Sequence, residues 1–219
     1  MGWACRLPGA EDPGAFWRLL ADGSSAVSEM PAGRILSPLS VHGSSQDGDR
    51  ETPPGGFLEH VDRFDAEFFG ISPKEAAATD PQQRLMLELA WECIEDARLS
   101  PASLDGSGTG VFVGAMADDF ARLQGRLGAD RMTRHTLGGT QRGLLANRVS
   151  HTLGLRGPSL AVDTGQSSSL VAVHLACESL RRGESATALA AGVHLIVDPD
   201  STVCVEKFGA LSPDGRCFT

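Results

Sequence analysis

The stretch "AVDTGQSSSLVAVHL", residues 161–175, holds the side chains best placed to do chemistry. An apolar run, Leu160-Ala161-Val162, meets Asp163-Thr164-Gly165, and then come Gln166, three serines and an apolar helical pattern. That order predicts a strand that turns sharply into a helix, with one side chain held at the bend. Enzymes often set a nucleophile at such a bend. Here the residue is Gln166, whose carboxamide nitrogen is delocalised and poorly nucleophilic, although the group offers a donor and an acceptor.

Other chemistries are poorly served. Cys5, Cys93, Cys177, Cys204 and Cys217 are scattered and never spaced C-x-x-C, so neither a zinc site nor a disulfide framework is expected; reduced, mostly buried thiols are. No two histidines stand four apart, the helical metal spacing, and no metal site is assigned. His174 is expected to be a packed, hydrogen-bonded helix residue. "GSGTG" (106–110) precedes a strand, whereas a dinucleotide loop follows one. "DPDSTVCVE" (198–206) carries calcium-like acids but lacks the central glycine such a loop needs.

Several elements must position the bend. "EDPGAFWRLLADG" (11–23) is predicted to be a helix that stops at Gly23. Residues 31–56 are rich in Pro, Gly and Ser and lack periodicity, which predicts a long surface loop. "DPQQRLMLELAWECIEDARL" (80–99) is the clearest helix: Asp80 can cap it and Pro81 suits its first position. Its apolar stripes, Leu85/Leu89/Glu92 and Leu87/Trp91/Ile94, predict deep burial, with Trp91 in the core. "GTGVFVGAM" (108–116) reads as a buried strand, 143–155 as a helix ending near Gly154, "SLAVDT" as a strand and 167–182 as a helix ending at Gly183. In 186–198 the second half is expected to be a strand. The alternation predicts a layered α/β fold in which helices pack on mixed sheets.

The chain has 219 residues, the size of one domain or part of a larger one, and a net charge of −9, which argues against a nucleic-acid surface. No apolar run approaches the ~18 residues of a membrane span, and Arg6, Glu11, Asp12 and Arg18 break any signal peptide. A cytoplasmic protein with neither nucleic-acid nor membrane partners is expected.

The sequence resembles the N-terminal part of a β-ketoacyl synthase domain of a modular type I polyketide synthase. The resemblance rests on "ACRLPGA" (4–10), "FWRLLADG" (16–23), the run 61–97 containing "DPQQRLMLELAWE", "GVFVGAM" (110–116), 144–184 and "GALSPDGRC" (209–217). The irregular surface loop at 34–56 matches nothing in the family. By this resemblance residues 1–219 are a partial domain, cut at both ends, comprising the N-terminal half of a thiolase-like layered fold. It implies an acyl-thioester substrate on the phosphopantetheine arm of an acyl carrier protein, with no directly bound cofactor. It also implies an acyltransferase domain of the same synthase as partner, and a homodimer whose sheets join along about Ser159 to Val162.

In the family the position of Gln166 is a cysteine that accepts the acyl chain. A helix N-terminus favours a thiolate there and offers amides to an oxyanion. Glutamine removes acyl transfer but leaves the amides and the dipole in place. This matches the glutamine-type variant that opens some assembly lines, a decarboxylase of malonyl- or methylmalonyl-carrier protein that makes the starter unit. Two alternatives stay open: a catalytically inactive scaffold for dimer or carrier-protein contacts, and a condensing acyltransferase altered at its nucleophile. The resemblance assigns the catalytic position to Gln166 and the acyl pocket to Met116 and Ala117. Ser167 is expected to lend a first-turn amide beside the substrate. The family's two catalytic histidines and its lysine would lie beyond Thr219.

Overall fold

The computed structural model describes residues 1–31, 53–213 and 215. Most of the loop expected at 34–56, and Cys217, lie outside the described residues. At the loop's described end, β2 (Gly55–Gly56) pairs antiparallel with β1 (Val27–Ser28).

A Ser or Asp followed by Pro opens helix after helix. Asp12 caps α1 (Pro13–Ala21) by accepting the Ala15 N–H at 2.7 Å, Ser72 caps α2 (Pro73–Ala78), and Asp80 caps α3 (Pro81–Asp96) through the Gln82 N–H at 2.8 Å. Ser100 precedes α4 (Pro101–Leu104). The acceptor side chain satisfies an orphan N–H, and proline occupies a position that needs none.

The central strand is β3 (Gly110–Gly114), buried at every residue. It pairs in parallel with β4 (Ser159–Val162) on one side and β5 (Ala188–Gly192) on the other, giving the order β4-β3-β5. Between them in sequence lie α5 (Asp119–Arg126), a short 3₁₀ turn, α6 (Thr136–Thr140), α7 (Leu144–Thr152) and α8 (Ser168–Arg181). Side chains alternate across the sheet. Val111 and Val113 join Met86, Leu87, Leu145, Ala146 and Val149 under α3 and α7, while Phe112 points to Ala172 and Ala176 of α8 on the other face. Covering both faces explains why β3 reads as a continuous apolar run.

The buried stripe of α3 differs from the expected one. It includes Gln82 and Gln83 beside Met86, Leu87, Ala90 and Ile94; Trp91 is half-buried, packs against the core as expected and meets Phe68 edge-on at 4.8 Å. Gln83 is saturated with partners. Its Nε2 donates to the carbonyls of Gly138, Gly139 and Gln141, each at 3.2 Å, and its Oε1 accepts from Arg148 Nε at 3.0 Å. Arg148 in turn pairs with Glu75 at 2.7 Å, so one buried amide joins α2, α3, α6 and α7.

Some expectations need correction. The strand within 186–198 is its first half, Ala188–Gly192. β5 can continue only as far as its neighbour, and Gly192 is paired with the last residue of β3, Gly114. Beyond it, side-chain acceptors replace a strand neighbour: Gln82 Oε1 takes the Leu195 N–H at 3.2 Å, and Asp119 Oδ2 takes those of Val197 and Asp198 at 3.1 Å. The acidic run 198–206 is largely a helix, α9 (Pro199–Phe208), capped by Asp198, and Arg126 pairs with both Asp198 and Asp200. His174 is exposed rather than packed, because the inner face of α8 is the small-residue row Ser168, Ala172, Ala176 and Ser179. Cys5, Cys93 and Cys177 are only half-buried and Cys204 is exposed, so the thiols are less buried than expected. Among the described residues no helix is long and apolar enough to cross a membrane.

Replacing Gln83 by Met keeps the volume but leaves Arg148 Nε and the Gly138 carbonyl without their partner, whereas the Gly139 and Gln141 carbonyls keep the N–H groups of Asp80 and Leu144. The expected loss is about 3 kcal/mol of unfolding free energy, since each unsatisfied buried group costs about 1–3 kcal/mol. Urea denaturation of the whole domain, compared with a half-buried control outside the network such as Gln124→Met, measures it. A difference below about 0.5 kcal/mol would contradict the network's role.

Candidate functional site

Three parallel strands deliver their carboxyl ends to the same side of the sheet, where ligands bind in open α/β folds. β4 runs through Asp163-Thr164-Gly165 to Gln166, β3 through Ala115 to Met116, and β5 through Val193 to His194. Gln166, Met116 and His194 line one cavity of about 310 Å³ there. Gly165, Ser168 and Ser169 supply its floor, and Leu7, Leu58, Leu85 and Leu89 its apolar wall. A neighbouring cavity of about 400 Å³, lined by His60 and Glu88, includes none of the three strand-end side chains.

The bend is held by its own polar groups. Asp163 Oδ1 accepts the Gly165 N–H at 3.0 Å, and Gly165 takes a left-handed φ of 68°. Ser168 Oγ accepts the Thr164 N–H at 3.0 Å and donates to the Gly165 carbonyl at 2.5 Å. Ser167 is the N-cap residue of α8, and its hydroxyl turns back to the Thr164 carbonyl at 2.9 Å. These bonds use up Ser167 and Ser168. The Gln166 side chain is exposed and engaged by no hydrogen bond among the described residues, so its amide is available to a ligand. The helix begins at Ser168, two residues beyond Gln166, so the first-turn amides face the bend.

Two side chains tie the strand ends together. Arg142, just before α7, donates to the Met116 carbonyl at 3.3 Å, grips Asp118 at 2.5 Å and pairs with Asp163 at the bend. Gln82 donates to the Ala117 carbonyl at 3.4 Å and accepts from Leu195 N. Arg142 thus fixes the end of β3 to that of β4, and Gln82 fixes it to that of β5. The Gly165 N–H holds the Asp163 carboxyl below the usual carboxylate range, and Arg142 adds to the effect. Arg6, on the cavity wall, is occupied by Glu92 in a two-pronged pair.

Of the residues singled out from the sequence, Gln166 and Met116 reach the cavity. Ala117 and Ser167 are not among its lining residues: the Ala117 carbonyl is bound by Gln82, and the Ser167 hydroxyl by Thr164. Sequence reasoning missed His194, Gln82 and Arg142. His194 was hidden by the misplaced strand, since ending β5 at the glycine of "AAGVH" exposes the histidine at the strand's carboxyl end. Among the described residues no group of three or more His, Cys, Asp or Glu is gathered as for a metal ion.

Comparison with known proteins agrees with this geometry. The family description "Beta-ketoacyl synthase, N-terminal domain" matches residues 1–219. Polyketide synthase GfsA of Streptomyces halstedii is 57% identical over 220 residues, covering 100% of this chain and 3% of that protein. A phenolphthiocerol/phthiocerol polyketide synthase of Mycobacterium tuberculosis is 45% identical, over 99% of this chain and 12% of that protein. Among solved structures, the oxazolomycin ketosynthase domain OzmH KS7 of Streptomyces albus superposes with a TM-score of 0.85 at 39% identity, covering 99% of this chain and 38% of that one. The ketosynthase from module 6 of the bacillaene synthase of Bacillus subtilis gives 0.83 at 31% identity, over 99% and 35%. The chain belongs to the β-ketoacyl synthase family, with the thiolase-like fold of its ketosynthase domains, and is of the modular type I polyketide synthase kind. It spans only a small part of the length of these curated relatives.

The Asp163 carboxyl titrates lower in the folded than in the unfolded chain. Its contribution to stability is therefore complete above the unfolded value, about pH 4, and is lost as pH falls through the lower folded value. Asp163→Asn keeps an acceptor for Gly165 but removes the charge that meets Arg142. The variant's melting midpoint is expected to depend less on pH than wild type between about pH 5 and pH 2. Parallel curves in differential scanning calorimetry would count against the pairing.

Proposed function

We propose that the intact domain decarboxylates a malonyl- or methylmalonyl-thioester, presented on the phosphopantetheine arm of an acyl carrier protein, to give an acetyl or propionyl starter unit. The observation that carries this reading is Gln166 at the bend before α8, beside a strand-end cavity that has no cysteine among its described lining residues. The acyl chain then has no thiol to move to. In the reaction the bond between carboxylate carbon and α-carbon breaks, carbon dioxide leaves, and the electron pair passes into an enolate whose oxygen needs hydrogen-bond donors. First-turn amides of α8 and the free Gln166 carboxamide are donors of that kind. Neither needs a covalent acyl-enzyme.

The partners follow from the substrate: a carrier protein, and an acyltransferase domain of the same synthase to load it. A homodimer joined along β4 also fits, because among the described strands β4 is paired only with β3 and Leu160 on it is 45% exposed.

The test compares the intact synthase with its Gln166→Ala and Gln166→Cys variants, following carbon dioxide release and protein mass together. Alanine removes one polar contact to the thioester, so release is expected to fall about ten- to hundredfold, the equivalent of about 1–3 kcal/mol. Cysteine is expected to acquire an acyl adduct, helped by the helix N-terminus. A wild-type protein that releases no carbon dioxide above a no-enzyme control would overturn the reading in favour of a scaffold. A cysteine variant that never gains acyl mass would show that the bend no longer supports thioester chemistry.

A further inference from the structure

We propose that His194 returns the proton to the substrate's α-carbon after carbon dioxide has left. The role rests on the decarboxylase reading and supplies the step which that reading lacks. An enolate must gain a proton to become an acetyl or propionyl thioester, and Gln166 has none to spare at neutral pH.

Chemistry at the described wall points to His194. Among the described lining residues, Arg6 and His194 are the two with ionisable side chains. Arg6 is permanently charged and its guanidinium is occupied by Glu92. Imidazole is the side chain that gives and takes a proton near neutral pH. His194 is exposed and no hydrogen bond engages it among the described residues, so water can recharge it after each turnover.

Position agrees. A Cβ on Gly192 would lie 2.6 Å from Ser169 Cβ, so the end of β5 is pressed against the first turn of α8. The chain leaving Gly192 reaches His194 in two residues, on a cavity wall shared with Gln166. Oxyanion donors thus come from the end of β4 and the proton from the end of β5. In the step itself an imidazolium N–H bond breaks and its electron pair stays on nitrogen. The proton goes to the α-carbon, where the enolate's C=C pair forms the new C–H bond. The neutral imidazole then takes a proton from water.

The experiment uses the intact synthase with malonyl- and methylmalonyl-carrier protein, comparing wild type with His194→Asn and His194→Gln from about pH 6 to pH 9. A general acid acts only while it holds its proton, so starter formation by wild type is expected to decline as pH rises. Both variants should be slower by about a hundredfold and lack that decline, since general acid catalysis is worth about 10²–10⁴ in rate. KM and the affinity for carrier protein loaded with a non-decarboxylating malonyl amide should stay within about twofold, which separates proton delivery from positioning. Variants with wild-type rate and wild-type pH profile would overturn the proposal and assign the proton to a group outside residues 1–219. Variants that lose analogue binding and melting temperature together would overturn it in favour of a structural role. A wild type that releases no carbon dioxide defeats the decarboxylase reading and this step with it, whereas active wild type beside unimpaired variants defeats this step alone.

Discussion

The first turn of α8 lies so close to the ends of β3 and β5 that neither strand can carry a side chain beneath it. A Cβ on Gly114 would stand 2.4 Å from the Ser168 carbonyl carbon, and one on Gly192 2.6 Å from Ser169 Cβ. No real Cβ makes such contacts, so any larger residue would lift the helix or push the strands apart. The bend, the exposure of Gln166 and the strand-end cavity all follow from this close approach. So does the small-residue row on the inner face of α8, because a helix seated this low has room only for Ser168, Ala172, Ala176 and Ser179 against the sheet.

A helix seated on strand ends still needs those ends fixed, and here polar groups do the fixing. Arg142 and Gln82 bind carbonyls of the segment after β3 and reach the segments after β4 and β5. Both act where regular sheet pairing has stopped and backbone groups would otherwise lack partners. Gln82 is buried, so its value depends on using both ends of its amide, which it does. Burial raises the neighbouring Asp80 carboxyl above its usual range, and the Gln82 backbone and side-chain donors work in the opposite direction. The same logic governs Gln83. A helix face that looks polar in the sequence is the fold's central junction because the amides of Gln82 and Gln83 each find partners at both ends.

This arrangement explains what the sequence disclosed and what it hid. Caps followed by proline, the apolar run of β3, and the strand-bend-helix around Gln166 depend on neighbours in sequence, and they were legible. The boundary of β5 was not, because Ala188 to Val197 is apolar except at His194 and only pairing with β3 decides where the strand stops. The acids at 198 and 200 look like ligands in sequence, but one caps α9 and both pair with Arg126, 72 and 74 residues away. His194 suffered most: a histidine inside a presumed strand reads as packing, whereas one just past a strand's carboxyl end reads as a site residue. Arg142 and Gln82 gave no local signal of this role, since the strand-end groups they join are 21 to 113 residues distant. The resemblance named Gln166, Met116 and Ala117 and the helix start named Ser167; Gln166 and Met116 line the cavity, while the Ala117 carbonyl is bound by Gln82 and the Ser167 hydroxyl by Thr164.

Under the proposed reading, the electrostatics of the lining matter as much as its shape. Losing carbon dioxide turns a carboxylate into a neutral molecule and moves the charge to an enolate oxygen. A cation fixed beside the carboxylate would hold the ground state and oppose the reaction, whereas donors near the thioester carbonyl favour the transition state. The lining divides in that way. Among the described lining residues the one permanent cation, Arg6, is neutralised by Glu92, and leucines make up much of the remaining wall. The helix N-terminus and the unengaged Gln166 amide lie at the bend instead. A cysteine at this position would add a second outcome, capture of the acyl group. Glutamine leaves the field of the helix in place and removes that outcome, so the same fold can spend its donors on one charge, the enolate, and release the product still attached to its carrier.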